Sequence, residues 1–247
     1  MIDKNAYYVD KTNLIENVLN EQNVFFTRPR RFGKTLNMSM LYYFFSIKEK
    51  ENAYLFNGLN ISKNKKAIKH QNQYPTLFIT LKDMKNSSYE KQMNRFKEII
   101  CLCAKNFLEL LDSDELLDSE KKLFQKYVDN ETEDNELERE IFNISYFLYK
   151  HYHQKVIILI DEYDVPLQAA YQYNYYDEMV EFLRSVFSSA LKTNDALEKG
   201  IMAGCLRISK ESIFTGLNNF KAYSILYKSK NEYFGFTKKE ILQLLKD

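Results

Sequence analysis

The residues of this chain best suited to holding a phosphate are the consecutive Gly33, Lys34 and Thr35. The apolar run Asn23–Thr27 precedes them and an apolar-periodic stretch follows, so the sequence predicts a strand, a turn and a helix. Backbone N–H groups at a helix start point towards an anion, and the helix dipole favours negative charge there. The Lys34 ammonium would reach the β- and γ-phosphates, and the Thr35 hydroxyl would bind magnesium.

This loop departs from the usual phosphate-binding pattern at its first position. The pattern G-x-x-x-x-G-K-[ST] has a glycine where this chain has Arg28, and Pro29 follows. Arg30 and Arg31 make the loop strongly basic, and arginines beside such a loop are plausible anion ligands. A solvated position for both arginines is the alternative. Taken alone, the motif is also compatible with an ordinary helix start that carries basic neighbours on the surface.

Two acidic residues, Asp161 and Glu162, directly follow the apolar run 156–160. An unbroken apolar run is typical of a central parallel strand that is buried on both faces. Apolar residues ending in Asp-Glu form the Walker B pattern. In that pattern the aspartate holds magnesium through water, and the glutamate orients or deprotonates the attacking water. Acidic residues also end many strands without a catalytic role, so this motif is weak by itself.

The two motifs support each other because each follows a predicted parallel strand. Ligands of open α/β sheets bind at the carboxyl ends of the strands, so Lys34 and the acidic pair would meet there. The alternation of elements predicts an α/β, P-loop NTPase fold, with a mostly parallel sheet, helices on both faces and a helical insertion before the Walker B strand. Strands are predicted at 23–27, 76–81, 156–160, 200–206 and 223–226, and one long amphipathic helix at 89–110.

Composition limits the other functional classes. The chain is 45% hydrophobic and 28% charged, an ordinary globular balance that argues against disorder. A net charge of +1 gives no overall footprint for nucleic acid. The loop arginines and one lysine run keep a local nucleic-acid groove as a rival hypothesis; the run is Lys63, Lys65, Lys66 and Lys69. The acidic stretch 129–140 is interpreted as a solvated face or a connection rather than a site.

Location and redox chemistry follow from a few further residues. The chain starts Met-Ile-Asp-Lys without an apolar core segment, and its most apolar run is too short to span a bilayer. We therefore expect a cytoplasmic protein with no membrane contact. Cys101, Cys103 and Cys205 are an odd, sparse set that makes no disulfide framework, and we interpret all three as small buried hydrophobes.

Several segments resemble the bacterial AAA-ATPase-like family of P-loop proteins. The matching segments are 7–12, 28–36, 160–164, 207–214 with 216–219, and 234–237. The Arg-Pro-Arg-Arg-Phe-Gly-Lys loop is highly characteristic of that family, so the resemblance implies that the missing first glycine is normal there. It also implies ATP as the ligand. Family members often carry a PD-(D/E)XK nuclease-like domain, which would begin where this chain ends. We expect residues 1–247 to form a single AAA-ATPase-like domain without it.

Further candidates come from the position of the next strand. In related ATPases the end of the strand after Walker B carries a polar sensor of the γ-phosphate, and the resemblance implies this position for Arg207 and Ser209. A guanidinium there would stabilise transferred charge, and a structural ion pair is the equally weighted alternative. We interpret Asn218 and Asn219 as turn residues. Asp10 and Lys11 lie near the base or tie down the N-terminus, and the sequence leaves both open.

The sequence therefore predicts magnesium-dependent ATP binding and hydrolysis. The predicted catalytic residues are Glu162, Lys34 and Arg207, and the predicted metal ligands are Thr35 and Asp161. The predicted nucleotide-binding set is Arg31, Phe32, Gly33, Lys34, Thr35 and Leu36. The alternative is a nucleotide-gated switch with little hydrolysis, which acts through a protein partner, a second copy of the chain or a missing nuclease-like domain. The carboxylate of Glu162 favours hydrolysis, since a pure binding module does not need it.

Overall fold

One parallel sheet organises the chain. A computed structural model describes residues 8–205, 220–224 and 231–246 of the 247. Its five strands lie in the order β2-β3-β4-β1-β5, and all pairings between these described strands are parallel. The strands are β1 (Asn23–Thr27), β2 (Thr76–Thr80), β3 (Val156–Asp161), β4 (Leu197–Gly204) and β5 (Lys221–Tyr223).

Helices connect these strands and cover both faces of the sheet. They are α1 (Asn13–Leu19), α2 (Lys34–Phe45), α3 (Lys65–Ile68), α4 (Tyr89–Ala104), α5 (Asp118–Asp129), α6 (Glu140–Tyr152), α7 (Val165–Gln172), α8 (Tyr176–Leu191) and α9 (Lys238–Leu244). Short 3-10 helices occupy Ile47–Phe56, Asn60–Lys63, Lys105–Asp112, Asp134–Arg139 and Asn231–Tyr233. Over the described ranges, none of these helices is both long and apolar enough to cross a bilayer.

Two hydrophobic layers hold the sheet between them. On one face, Ile158 and Ile160 of β3 pack with α4 to α8. On the other face, Ile157 and Leu159 of the same strand pack with α1 and α2. All residues of β3 are buried, which explains why its sequence is apolar without alternation. The predicted α/β class, the parallel sheet, the helices on both faces and the helical insertion between β2 and β3 are confirmed.

The predicted helix 89–110 is too long. Helix α4 ends at Ala104, and the chain continues as the 3-10 helix Lys105–Asp112, in which Phe107 leaves helical geometry at φ −133° and ψ 40°. Phe107, at the irregularity, and Leu110, which follows it, are both buried. The spacing of apolar residues therefore continues through the break, and a pattern of apolar residues alone could not reveal it.

The acidic stretch 129–140 connects α5 to α6, but it is not solvated throughout, because Thr132, Leu137 and Glu140 are buried. Glu140 opens α6 and is 1% exposed. Its Oε2 atom is buried and makes no hydrogen bond to the described part of the chain. Burial raises the pKa of Glu140 to about 7, and the Thr132 hydroxyl and Lys97 offset only part of this effect. Glu140 is therefore a costly buried acid within the helical insertion.

We expect Glu140→Gln to remove a pH dependence of stability. Since the folded protein binds this proton more tightly than the unfolded chain, the free energy of unfolding falls as pH rises through the interval from the ordinary glutamate range to about 7. The loss at this one residue would be about 3 kcal/mol or less. Urea unfolding at about pH 5 and about pH 8 measures it. The variant should gain stability over wild type at the higher pH only.

The exposed Glu131 supplies the matched control, because Glu131→Gln removes a carboxylate from the same region without touching the core. It should leave the difference between the two pH values unchanged. Equal stability changes at both pH values for Glu140→Gln would show that burial of the charge is not the cause.

Candidate functional site

Parallel register places three strand ends beside one another. Thr27 at the end of β1 pairs with Gly204 at the end of β4, and Ala203 of β4 pairs with Asp161 at the end of β3. The loop after β1 and the acidic pair after β3 therefore reach the same edge of the sheet, with the end of β4 between them. Neighbouring strands are about 4.8 Å apart, so a ligand that contacts both loops must extend over β4.

The basic loop, residues 28–33, enters α2 through two left-handed residues. Gly33 caps the helix at φ 75°, and Arg31 has φ 68°. Glycine reaches this region without steric cost, whereas arginine rarely adopts it. The N–H of Asn37 donates to the Gly33 carbonyl and closes the first turn of α2. The loop thus has a defined backbone shape at a helix N-terminus, where N–H groups are available for an anion.

Lys34 is buried under this loop. The residue is 6% exposed. Its Nζ donates to the carbonyl oxygens of Arg28 at 3.1 Å and Pro29 at 3.0 Å. Nζ also lies 3.1 Å from the Sγ of Cys205, just after β4. The two carbonyl oxygens are neutral, so an anionic ligand at the helix start would bind the ammonium more strongly than they do.

Arg28 occupies the position of the missing glycine and turns away from the helix start. It is 2% exposed, and its Nη1 donates to the carbonyl oxygens of Thr27 at 2.8 Å and Tyr223 at 2.5 Å. Its guanidinium lies over the ring of Phe234, 4.7 Å from the centroid. Burial lowers the pKa of Arg28 to about 10. The side chain therefore joins the loop to β5 and to the C-terminal part of the fold.

Asp161 is a buried acid with one unsatisfied oxygen. The residue is 1% exposed, and its Oδ1 accepts the N–H of Glu162 at 3.0 Å. Its Oδ2 is buried and has no hydrogen-bond partner within the described ranges. Burial raises the pKa of Asp161, while the nearby Thr35 hydroxyl lowers it and the Glu162 carboxylate raises it again. An unsatisfied buried acceptor costs free energy unless a ligand completes its bonding.

The acidic edge has the chemistry of a magnesium site. A carboxylate and a hydroxyl supply the hard oxygen ligands that Mg²⁺ prefers, and the ion usually takes one or two carboxylates together with phosphates and waters. No group of three or more His, Cys, Asp or Glu in the described part of the chain could hold a metal. Thr35 and Asp161 could supply two of the oxygen ligands of such an ion.

Glu162, next to Asp161, has a strained backbone conformation. Its φ is 56°, in the left-handed region that glutamate seldom adopts. Its side chain is half-buried. A cavity of about 770 Å³ brings Glu162 together with most of the predicted loop residues, which are Arg31, Gly33, Lys34, Thr35 and Leu36. Phe32 borders a different cavity, and Asp161, which is buried, does not line this one. Arg207, Ser209, Asn218 and Asn219 fall outside the described residues.

Asp164 holds the end of β4 in place. It is 1% exposed, and its Oδ1 accepts the N–H of Cys205 at 3.0 Å while its Oδ2 accepts from Gln168 at 2.7 Å. Gln168 in turn accepts from Arg30 at 3.1 Å. A Cβ at Gly204 would lie 2.6 Å from the same Asp164 oxygen, so only glycine fits there. The loop, α7 and β4 are therefore linked through one carboxylate.

The structure adds cavity residues that sequence reasoning missed. Cys205 is partly exposed and contacts Lys34, so its interpretation as a buried hydrophobe is wrong, while Cys101 and Cys103 are buried as predicted. Lys85, in the turn after β2, and Gln168 on α7 also line the cavity. Attention to the residues following each parallel strand would have found Lys85. Three residues of the lysine run, Lys63, Lys65 and Lys66, lie elsewhere, on a surface with Asn13 and Glu16.

Comparison with known proteins gives one match. The AAA-ATPase-like family, described as "Predicted AAA-ATPase", matches residues 1–214. The resemblance inferred from the motifs is thereby confirmed, and the five-stranded parallel sheet is consistent with a P-loop NTPase-like fold. Neither a curated protein nor a solved structure matches the chain.

We expect Asp161→Asn to stabilise the ligand-free protein. The amide keeps the side-chain shape and removes a charge whose ionised form burial disfavours, so the free energy of unfolding should rise by about 1 kcal/mol near neutral pH. The gain should shrink as the pH falls and the wild-type carboxyl takes up its proton, since the raised pKa makes the folded state bind that proton more tightly. Urea unfolding without ligand measures this.

Asp83→Asn is the matched control, because Asp83 is an exposed aspartate close to the same edge of the sheet. It should change the stability little. A loss of stability in Asp161→Asn as large as that of a core substitution would mean that the carboxylate is structural.

Proposed function

The chain belongs to the AAA-ATPase-like family, and on this premise we propose that it binds ATP with magnesium and hydrolyses it. The observation that carries the proposal is the buried Asp161 carboxylate beside the Thr35 hydroxyl, since one of its oxygens has no hydrogen-bond partner in the part of the chain that the structure describes. Lys34 and Glu162 border a cavity on the same side of the sheet. This is the combination of cation, hydroxyl and carboxylates that phosphoryl transfer requires.

Phosphate binding would fall to the basic loop and Lys34. The ammonium would exchange the neutral carbonyl oxygens of Arg28 and Pro29 for charged phosphate oxygens, and charge-assisted hydrogen bonds are about twice as strong as neutral ones. Backbone N–H groups at the start of α2 and the guanidinium of Arg31 would add to the binding. Leu36, which is 43% exposed beside them, would lose exposed apolar surface to the ligand.

Thr35 and Asp161 would hold the magnesium ion, which neutralises charge on the phosphates when it is bound. Burial of Asp161 matters for this role, because a carboxylate in a site with little water interacts more strongly with a cation. The neutral amide of an asparagine would lose that interaction, so the same substitution that stabilises the free protein would weaken magnesium-dependent binding.

Glu162 would orient a water molecule towards the γ-phosphorus and accept its proton as the bond to the β-phosphate oxygen breaks. Its left-handed backbone directs the side chain away from the position that a regular continuation of β3 would give it. Such strain costs of order 1–3 kcal/mol and persists where the surrounding structure enforces it. Arg207 is proposed to stabilise the transferred charge, as the resemblance implies.

The alternative proposal is a nucleotide-gated switch with little turnover. One contact favours it: the N–H of Gly235 donates to the Phe32 carbonyl at 3.0 Å, so the C-terminal part of the fold rests directly on the loop. A change of loop shape on binding would reach that part without any hydrolysis. Hydrolysis and switching use the same bound nucleotide and differ in the need for Glu162.

ATP binding and hydrolysis by Lys34→Ala and Glu162→Gln separate these proposals. We expect Lys34→Ala to lower ATP affinity by about 100-fold, because it removes the only buried cation at the helix start among the described residues. We expect Glu162→Gln to keep its affinity and to lose about 100-fold or more in kcat. Calorimetry with magnesium measures binding, and phosphate release measures turnover.

Matched controls are Lys82→Ala and Glu178→Gln, which change exposed residues outside the cavity and should behave as wild type. Binding without turnover, unchanged by Glu162→Gln, would support the switch. If wild type binds no nucleotide at all, both proposals are wrong.

A further inference from the structure

The polar cavity, which is the cavity of about 770 Å³ that Lys34 borders, has a second lysine in its wall. Lys85 lies in the turn after β2, residues 81–88, and is exposed. Its ammonium makes no hydrogen bond or ion pair with any residue that the structure describes. Lys34, by contrast, is buried and donates to two carbonyl oxygens. The charge of Lys85 is therefore available to a ligand in this cavity.

Strand pairing brings the turn that carries Lys85 next to the acidic pair. Thr80 at the end of β2 pairs with Asp161 at the end of β3. The N–H of Leu81 donates to the Asp161 carbonyl at 3.0 Å, so the pairing continues one residue beyond β2. In the strand order, β3 separates β2 from β4 and β1. The turns that carry Lys85 and Lys34 therefore follow strands on opposite sides of β3.

Buried contacts hold the turn after β2 in a defined shape. Gln92 of α4 is 0% exposed, and its Oε1 accepts the backbone N–H and the side-chain amide of Asn86, each at 3.0 Å. Its Nε2 donates to the Met84 carbonyl at 2.7 Å. The hydroxyl of Tyr175, just before α8, donates to the Asn86 carbonyl at 2.5 Å. Both neighbours of Lys85 are thus fixed, so a ligand would have to order little more than the lysine side chain.

We propose that Lys85 is a catalytic residue that binds the γ-phosphoryl group of ATP and stabilises its charge during hydrolysis. The inference rests on the proposed ATP hydrolysis and adds a residue to it. With Lys34 on the β- and γ-phosphates and Glu162 beside the attacking water, the γ-phosphate would lie over the end of β3. A cation that enters from the β2 side would then meet the outer γ-phosphoryl oxygens. The α- and β-phosphates would lie on the other side, towards the start of α2.

The contact would matter most while the phosphoryl group is transferred. The water oxygen forms its bond to the γ-phosphorus, the bond to the β-phosphate oxygen breaks, and Glu162 accepts the proton of the water. Lys85 keeps its own proton throughout and donates hydrogen bonds to the γ-phosphoryl oxygens. A preorganised donor aimed at such oxygens contributes about 100-fold or more to kcat.

Turnover and the binding of ATP and ADP, each with magnesium, test this role. Lys85→Ala should lower kcat by about 100-fold. It should lower the affinity for ATP by about tenfold and leave the affinity for ADP unchanged, because ADP has no γ-phosphate. Lys85→Arg keeps the charge, so its kcat should stay within about tenfold of wild type. Lys34→Ala should instead lose affinity for both nucleotides, since Lys34 would also contact the β-phosphate.

The matched control is Lys82→Ala, because Lys82 is exposed in the same turn but does not border the polar cavity. It should resemble wild type in turnover and in both affinities. Unchanged turnover in Lys85→Ala, or an equal loss of ATP and ADP affinity, would overturn the role of Lys85 and leave the proposed function standing. A wild-type protein that does not hydrolyse ATP would overturn both.

Discussion

Parallel pairing of β1, β4 and β3 is the constraint on which the candidate site depends. The register sets Thr27, Gly204 and Asp161 at one level of the sheet, so the turns that follow three distant parts of the chain meet at one edge. The helices on both faces make this register energetically specific, because a slip by one residue would exchange the two buried faces of β3. The meeting of these turns at one edge is thus a consequence of how the hydrophobic layers are packed.

Arg28 shows how the fold accommodates the loss of a loop glycine. In a glycine-rich loop the backbone alone provides the shape, whereas here a buried guanidinium binds the carbonyl oxygens of Thr27 and Tyr223 and stacks on Phe234. The loop conformation is therefore supported from β5 and the C-terminal segment, residues 231–246. Residues far along the chain thus stabilise the loop conformation, which the local sequence alone would not do. The basic loop and the C-terminal segment are therefore packed against each other.

Much of this arrangement follows from local sequence, and the reasons for the exceptions are physical. The unbroken apolar run of β3 and the Gly33–Lys34–Thr35 turn could be predicted because burial on both faces and helix initiation leave local patterns. The direction of Arg28 and the contact of Lys34 with Cys205 could not, since they depend on partners far along the chain. The burial of Glu140 could not be predicted either, because its acidic neighbours in the sequence suggest exposure to solvent. Charge patterns predict average exposure and do not identify which acidic residue packs inward.

The distribution of unfavourable features argues that this edge is built for a ligand. Non-glycine residues with positive φ include Asn72, Asn130 and Asn174, and asparagine tolerates that region well. Arg31 and Glu162 have no such tolerance, and both border the polar cavity. Asp161, next to Glu162, has an oxygen that no described residue satisfies. A fold gains no stability from placing strain and a buried unsatisfied acid side by side, whereas a bound cation and phosphate would satisfy the acid and use both strained positions.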